Sequence, residues 1–159
     1  MTWRGSSTPQ DRFFACLPYL LPLIEGLVFG TFLVQQFPVL GIIFLPLLPL
    51  IQLYGSIPFA GLVVFFALFL LVVRNEGISH FIRFNTMQAI LFDIILILCL
   101  YIAQWILRPV FAGGFVTQTL FSVVFLGNLA AIGYSIFQTV LGRYAEIPPI
   151  SDAVHMQVR

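Results

Sequence analysis

The sequence contains no lysine, and charged residues make up only 8% of its 159 positions. Seven basic residues nearly balance six acidic ones, which gives a formal net charge of +1. This balance excludes the long-range attraction that a nucleic-acid-binding protein exerts on its ligand. Hydrophobic residues account for 60% of the chain, which is more apolar surface than a water-soluble protein of this length can bury. We therefore predict a membrane protein of one domain, surrounded by the lipid bilayer and lacking a separate enzyme module.

Side chains that carry catalysis or hold cofactors are also scarce. Cys16 and Cys99 both lie in apolar runs, which is typical of small buried side chains rather than of a disulfide or a metal site. His80 and His155 have no metal co-ligands near them in sequence. The chain has no P-loop, no CxxC motif, no paired-aspartate motif and no dinucleotide-binding fingerprint. We predict a protein that is not an enzyme, with no catalytic residues, no cofactor and no metal.

Long apolar runs predict the fold class, an all-α polytopic membrane protein with four transmembrane helices. The fullest run covers residues 84–107 and contains a single charge, Asp93. Each run is long enough, or nearly long enough, to cross roughly 30 Å of hydrocarbon as a helix that rises 1.5 Å per residue. The predicted spans are residues 12–35, 57–73, 81–107 and 115–141. Residues 12–142 then form the transmembrane domain, between an N-terminal tail (1–11) and a C-terminal tail (143–159).

Residues 37–54 are apolar and uncharged, but they contain Pro38, Pro46 and Pro49. Interior prolines remove backbone hydrogen bonds and break helices, and lipid offers no replacement partner. We predict a short broken or interfacial segment between the first and second spans, rather than a fifth span.

The positions of the arginines support four spans over five. Four spans place six arginines on one side and only Arg108 on the other, whereas five spans divide them three against four. The positive-inside rule therefore predicts four spans, with both termini on the cytoplasmic or equivalent side. The six arginines on that side are Arg4, Arg12, Arg74, Arg83, Arg143 and Arg159.

Polar side chains inside the spans are costly in lipid and mark candidate functional positions. Asn85, Gln88, Asp93 and Gln104 fall on one half-cylinder of the third span at about 100° per residue. The candidate polar seam between helices consists of Glu25, Asn85, Gln88, Asp93, Gln104, Asn128 and Gln138. The amides are interpreted as interhelical hydrogen-bonding groups, worth about 0.6 kcal/mol each. Glu25 and Asp93 are interpreted as functional or water-facing, with a neutral, protonated carboxyl as the alternative.

Small residues at four-residue spacing predict close helix packing, within the chain or against a partner. The candidate packing positions are Gly26 and Gly30 on the first span, and Gly127, Ala131, Ser135 and Thr139 on the fourth. Arg74 and Arg83 flank the most polar loop and are interpreted as interfacial anchors that reach lipid phosphates.

Several runs resemble one known family, the 20-kDa membrane subunit of the chloroplast inner-envelope protein import translocon (the Tic complex) and its cyanobacterial relatives. These runs are Val72-Val73-Arg74-Asn75, residues 81–91, the ending at residues 142–154, and the shorter pieces 14–20, 46–49 and 57–60. The resemblance implies four helices, both termini on one side, and a core or channel-forming role in protein translocation across the plastid inner envelope. Residues 1–10 do not resemble a transit peptide, so we expect a cyanobacterial or plastid-encoded member.

Three functional hypotheses follow. The first is a subunit of a protein translocation complex, which works with other membrane subunits or further copies of itself and contacts a translocating polypeptide. The second is a small-solute or ion transporter in which Glu25 and Asp93 are the coupling groups. The third is an accessory or assembly subunit of a larger membrane complex, without a pore.

Overall fold

A computed structural model of the chain describes residues 7–112 and 114–158, so Arg4 and Arg159 lie outside the described residues. Within these ranges every regular element is a helix. In chain order the helices are α1 (Pro9–Gln36), α2 (Pro38–Ile43), α3 (Leu45–Ser56), α4 (Ala60–Val73), α5 (His80–Phe111), α6 (Phe115–Val140) and α7 (Ile150–Gln157).

Three helices, α1, α5 and α6, are long and apolar enough to cross a membrane. Helices α3 and α4 form a pair bent by 99°, which is a fourth span if the two helices are counted together. The predicted all-α polytopic membrane fold is therefore confirmed. The bend was not predicted, and the second predicted span, residues 57–73, corresponds only to the α4 arm of this pair.

The bend follows from Pro58. The residue before a proline is driven out of the helical region, and Ile57 accordingly has φ −97° and ψ 118°. Phe59 then adopts a left-handed conformation with φ 57°. As a result α4 begins at Ala60, with 8 α-helical residues followed by 6 π-helical ones. At 1.5 Å per residue it is about 20 Å long, too short to cross the hydrocarbon core alone.

The broken segment predicted for residues 37–54 is confirmed. Phe37, which precedes Pro38, leaves the helical region with φ −128° and ψ 82° and ends α1. A second interruption at Phe44 separates α2 from α3, which opens with a 3₁₀ turn that contains Pro46. Pro38 directly follows Phe37, and Pro46 lies two residues after Phe44. Because proline has no amide donor for a continuous helix, an interruption before each proline is expected.

Helix α1 begins with a capping box and runs beside α5. Thr8 Oγ1 accepts from the Asp11 amide at 3.2 Å, and Asp11 Oδ2 accepts from the Thr8 amide at 3.1 Å. Pro18 and Pro22 are tolerated inside α1, where 3₁₀ turns interrupt the α-helical hydrogen bonds. Both prolines are buried against the bundle, so the irregular backbone is covered by protein rather than by lipid.

The start of the first helix and the end of the last long helix lie at the same end of the bundle, which indicates an even number of membrane crossings. The Arg12 guanidinium donates to the Val140 carbonyl at 3.3 Å, so the start of α1 and the end of α6 lie together. Arg83, at the start of α5, donates to the Val73 carbonyl at 2.9 Å. This arginine-bearing end of the bundle is opposite Arg108. The side of the membrane that it faces stays a prediction.

Residues 143–158, which the sequence predicts to be a tail, are packed against α5. Helix α7 runs along α5 and places Val154 and Val158 in an apolar cluster with Phe84 and Met87. Tyr144 lies edge-on to Phe84, with ring centroids 4.9 Å apart. The C-terminal segment is thus part of the core at the arginine-bearing end.

Candidate functional site: polar contacts inside the helix bundle

Asn85 joins three helices through its side chain. Its Oδ1 accepts from the Tyr19 hydroxyl of α1 at 2.8 Å and from the Thr139 hydroxyl of α6 at 2.9 Å. Its Nδ2 donates to the Phe81 carbonyl one turn earlier at 2.9 Å. Asn85, Tyr19 and Thr139 are all fully buried. A buried amide with its donor and acceptor both occupied fixes the relative positions of the helices that supply its partners.

Gln88 forms a second junction one turn along α5. Its Nε2 donates to Ser135 Oγ of α6 at 3.1 Å, and its Oε1 accepts from Ser151 Oγ of α7 at 3.1 Å. Ser151 in turn accepts from the Ile147 amide at 2.6 Å. Gln88 therefore ties the C-terminal segment to the two long helices, in the same way as Asn85 ties α1 to them.

Close packing between α1 and α6 comes from two glycines. A Cβ added at Gly30 would lie 2.7 to 2.9 Å from three carbons of the Phe125 ring. A Cβ added at Gly26 would overlap the Asn128 amide group. That amide donates to the Pro22 carbonyl at 3.0 Å, which is possible because Gly26 leaves room for it. Both glycines thus permit close approach of α1 to α6.

The two intramembrane carboxylates, Glu25 and Asp93, differ in their hydrogen bonding. The Tyr54 hydroxyl of α3 donates to Glu25 Oε1, and a Cβ at Gly61 would lie 2.5 Å from the same oxygen. Asp93 is 1% exposed, and its Oδ1 has no hydrogen-bond partner among the described residues. An unpartnered buried carboxylate oxygen is costly in this setting, and it is suited to bind a proton or another small cation.

The structure does not bring the whole candidate seam together. Asn85 and Gln88 adjoin each other, and Asp93 follows on α5, whereas Asn128 contacts α1 separately. Gln104 is exposed, as is its neighbour Trp105, whereas the adjacent Ala103 is buried, so Gln104 lies on the face of α5 that is turned away from the bundle. Gln138 is half-buried and stands outside both junctions.

The small-residue stripe on α6 is divided between two environments. Ser135 and Thr139 are fully buried and bind α5, as described above. Ala131 is half-buried and Gly127 is exposed, with nothing within 4 Å of a Cβ added there. Gly127 and Ala131 line an open cleft of 240 Å³ between α5 and α6.

The two loop arginines also differ. The Arg83 side chain is 8% exposed and bonds the Val73 carbonyl, so it fastens the end of α4 to the start of α5. Arg74 is exposed, and its guanidinium carbon lies 5.2 Å above the Phe69 ring. Of the two, Arg74 is the one that presents its charge at the surface, as an interfacial anchor would.

Comparison with known proteins decides the family. A family model described as "Chloroplast import apparatus Tic20-like" matches residues 7–154. The chain belongs to the Tic20-like family. It is 54% identical over 159 residues to a Tic20 family protein of Synechocystis sp., covering 100% of this chain and 99% of that one. It is 36% identical over 164 residues to protein TIC 20-II, chloroplastic, of Arabidopsis thaliana, covering 99% and 78% of the two chains. It is 37% identical over 154 residues to Tic20 family protein Ycf60 of Porphyra purpurea, covering 92% and 75%.

The resemblance drawn from the sequence is thereby confirmed, and with it the membrane, protein transport and Tic assignments. The Tic20-like family is associated with chloroplast protein import, and its names denote an import component rather than an enzyme. In the described part of this chain, no group of three or more His, Cys, Asp or Glu side chains is placed to hold a metal ion.

Three residues of the polar contacts escaped the sequence analysis, namely Tyr19, Tyr54 and Ser151. Tyrosine in an apolar run is usually core or interfacial, so its hydroxyl gives no signal of its own. Ser151 lies in a stretch that reads as an exposed tail. Ile150, Val154 and Val158 are apolar residues at four-residue spacing, a pattern that predicts a helix with one buried face. This pattern could have indicated that the segment around Ser151 is packed against the bundle.

Proposed function

We propose that this Tic20-like chain is a subunit of a protein translocation assembly, with the polypeptide path between this chain and other subunits or further copies. The observation that carries the proposal is the filled interior of the bundle. Tyr19, Asn85, Gln88 and Thr139 are all fully buried where α1, α5 and α6 meet. A path for an extended polypeptide through a single copy would have to displace these junctions.

The family association with chloroplast protein import supports the translocation role. The same association does not distinguish a channel-forming subunit from an accessory one. The packing supports a shared channel, because Asn85 and Gln88, two of the polar groups that could line a single-chain pore, are used for hydrogen bonds between helices.

A surface for partners is available at the end opposite the arginines. Beyond Leu96 the outer side of α5 is exposed, with Leu98 at 56% and Trp105 at 74%. The first half of α6 is also open, with Phe115 at 81% and Val123 at 60%. Lipid alone can cover these side chains, but the adjoining cleft at Gly127 offers the close backbone approach that helix–helix contacts in membranes use.

A photocrosslinking experiment in the native membrane tests this proposal. A photoreactive amino acid replaces Trp105 or Val123, with Phe84 as a buried control, and a precursor is arrested during translocation. We expect crosslinks from the exposed positions to other subunits or to the precursor, and only intrachain products from position 84. Normal translocation after depletion of the chain, together with crosslinks to lipid alone, would overturn the proposal.

Asp93 and Glu25 favour one second candidate, cation-coupled transport of a small solute. The specific observation is that the buried Asp93 Oδ1 has no hydrogen-bond partner among the described residues. Purified chain in liposomes distinguishes the two functions. Solute or cation flux through the chain alone, abolished by Asp93→Asn, would favour transport, and its absence in an intact, inserted chain would exclude it.

A further inference from the structure

A lateral groove lies between α1, the bent pair α3–α4 and the start of α5. Its volume is 460 Å³, within the range of about 300–1,000 Å³ typical of small-ligand sites. Leu20 and Ile24 form one wall, and Val64 and Leu68 form the opposite wall. This groove is separate from the buried junctions at Asn85 and Gln88.

The groove has no hydroxyl proton left for a polar ligand. Among the described residues that line it, only Tyr54 and Thr86 have polar side chains. The Tyr54 hydroxyl donates to Glu25, and the Thr86 hydroxyl donates to the Ile82 carbonyl at 2.8 Å. A ligand seated here meets hydrocarbon on every wall, so burial of apolar surface has to hold it.

The size of the groove excludes a helix as its occupant. A helix is at least about 10 Å wide and rises 5.4 Å per turn, so one turn fills roughly 400 Å³. The groove accommodates about one turn, whereas a spanning helix has more than five. A single flexible hydrocarbon chain fits the space. Phe14 and Leu17, at 54% and 41% exposure, place the opening on the outer, lipid-facing surface.

The loop that contains Arg74 lies near one end of the groove, and Arg74 lines a neighbouring polar pocket with Glu76 and Arg83 rather than the groove itself. Val72 and Ile78 line that end, and Arg74 follows Val72 by two residues. Arg74 is exposed and is held beside α4 by its contact with Phe69. A basic side chain at the membrane interface attracts anionic head groups.

We propose that the lateral groove binds one acyl chain of an anionic membrane lipid, whose head group lies beside Arg74. The lipid chain fills the space between α1 and the bent pair, and it supports α3 and α4 where the protein itself leaves a gap. This site goes beyond the translocation role and does not depend on it.

Native mass spectrometry of the full chain in mild detergent tests the site. The chain is delipidated and titrated with phosphatidylglycerol or with phosphatidylcholine of identical acyl chains. Val64→Trp places an indole in the groove, while Val63→Trp makes the same change on the 59% exposed outer face of α4. We expect Val64→Trp to weaken phosphatidylglycerol binding about tenfold through steric conflict, and Val63→Trp to leave it unchanged. Arg74→Gln should remove the preference for phosphatidylglycerol while binding of both lipids persists.

A crosslinking measurement on the unaltered chain tests the site even if the tryptophan variants misfold. Phosphatidylglycerol with a photoreactive diazirine in mid-chain should crosslink to Leu20, Ile24 or Leu68. Equal binding by the Val64 and Val63 variants, or crosslinks spread over outer positions such as Leu70 and Leu71, would overturn the proposal. So would a dimer that Val64→Trp dissociates while lipid binding is unchanged, because a second copy would then occupy the groove.

Discussion

Gly30→Ala is expected to weaken the contact between α1 and α6. In the structure the added Cβ would lie 2.7, 2.8 and 2.9 Å from three carbons of Phe125. Carbon atoms in contact prefer about 3.5–4.0 Å, so the ring or the helix has to move by somewhat under 1 Å. Phe125 is 1% exposed and also packs against Phe44, with ring centroids 6.1 Å apart. Because the ring has no open space to enter, we expect a loss of about 1–3 kcal/mol, the usual cost of overpacking.

A double-mutant cycle with Phe125→Leu isolates this steric effect. Phe125→Leu alone removes packing and destabilises the chain, but it also removes the ring that the new methyl group at position 30 would meet. The double variant should therefore be more stable than the sum of the two single effects predicts, by about 1 kcal/mol or more. Gly133→Ala is the matched control, because nothing lies within 4 Å of its Cβ and alanine favours helix by up to about 1 kcal/mol.

Reversible unfolding in mixed detergent micelles, followed by loss of helical circular dichroism, gives the free energies. The steric reasoning requires Gly30→Ala to be less stable than the parent chain and Gly133→Ala to be equal or more stable. Additive effects of Gly30→Ala and Phe125→Leu would refute it, as would equal stability of the two Gly→Ala variants.

Three further predictions concern the polar contacts. Asn85→Leu should cost about 1 kcal/mol or more, from two interhelical hydrogen bonds at roughly 0.6 kcal/mol each, whereas Thr86→Val, which loses only a bond within its own helix, should cost less in the same unfolding assay. Gly61→Ala should break the carboxylate–tyrosine bond between α1 and α3, and so increase protease cleavage around the bent pair, while Gly55→Ala, in open space, should not. Ser151→Ala should raise amide hydrogen exchange across α7 and leave exchange in α1 unchanged; uniform protection would contradict the role of this serine.

Sequence reasoning predicted the features that depend on local rules. Proline lacks an amide donor and restricts the preceding residue, so the interruptions at Phe37 and just before Pro46 could be anticipated, whereas the bend at Pro58, which obeys the same rule, was missed. Asn85 and Gln88 could be assigned to one face of α5 because helical periodicity holds over a single turn. Gly26 and Gly30 could be assigned to close packing for the same reason.

The contacts that escaped prediction join residues far apart in sequence. Tyr54 reaches Glu25 only because the bent pair folds back onto α1, and Ser151 reaches Gln88 only because α7 turns back along α5. Gln104 was assigned to the polar seam by periodicity alone. Periodicity gives the direction of a side chain from its own helix, and it does not tell whether another helix lies in that direction.

The division of the α6 stripe has a consequence for assembly. Ser135 and Thr139 are committed to hydrogen bonds inside the chain, so a partner cannot use them without breaking the core. Gly127 and Ala131 line the cleft between α5 and α6, in the middle part of α6. The large exposed side chains of α5 extend from this cleft away from the arginine-bearing end. A partner helix that packs there reaches the bilayer centre beside the chain and leaves the Asn85 and Gln88 junctions intact, which is the arrangement that a shared path requires.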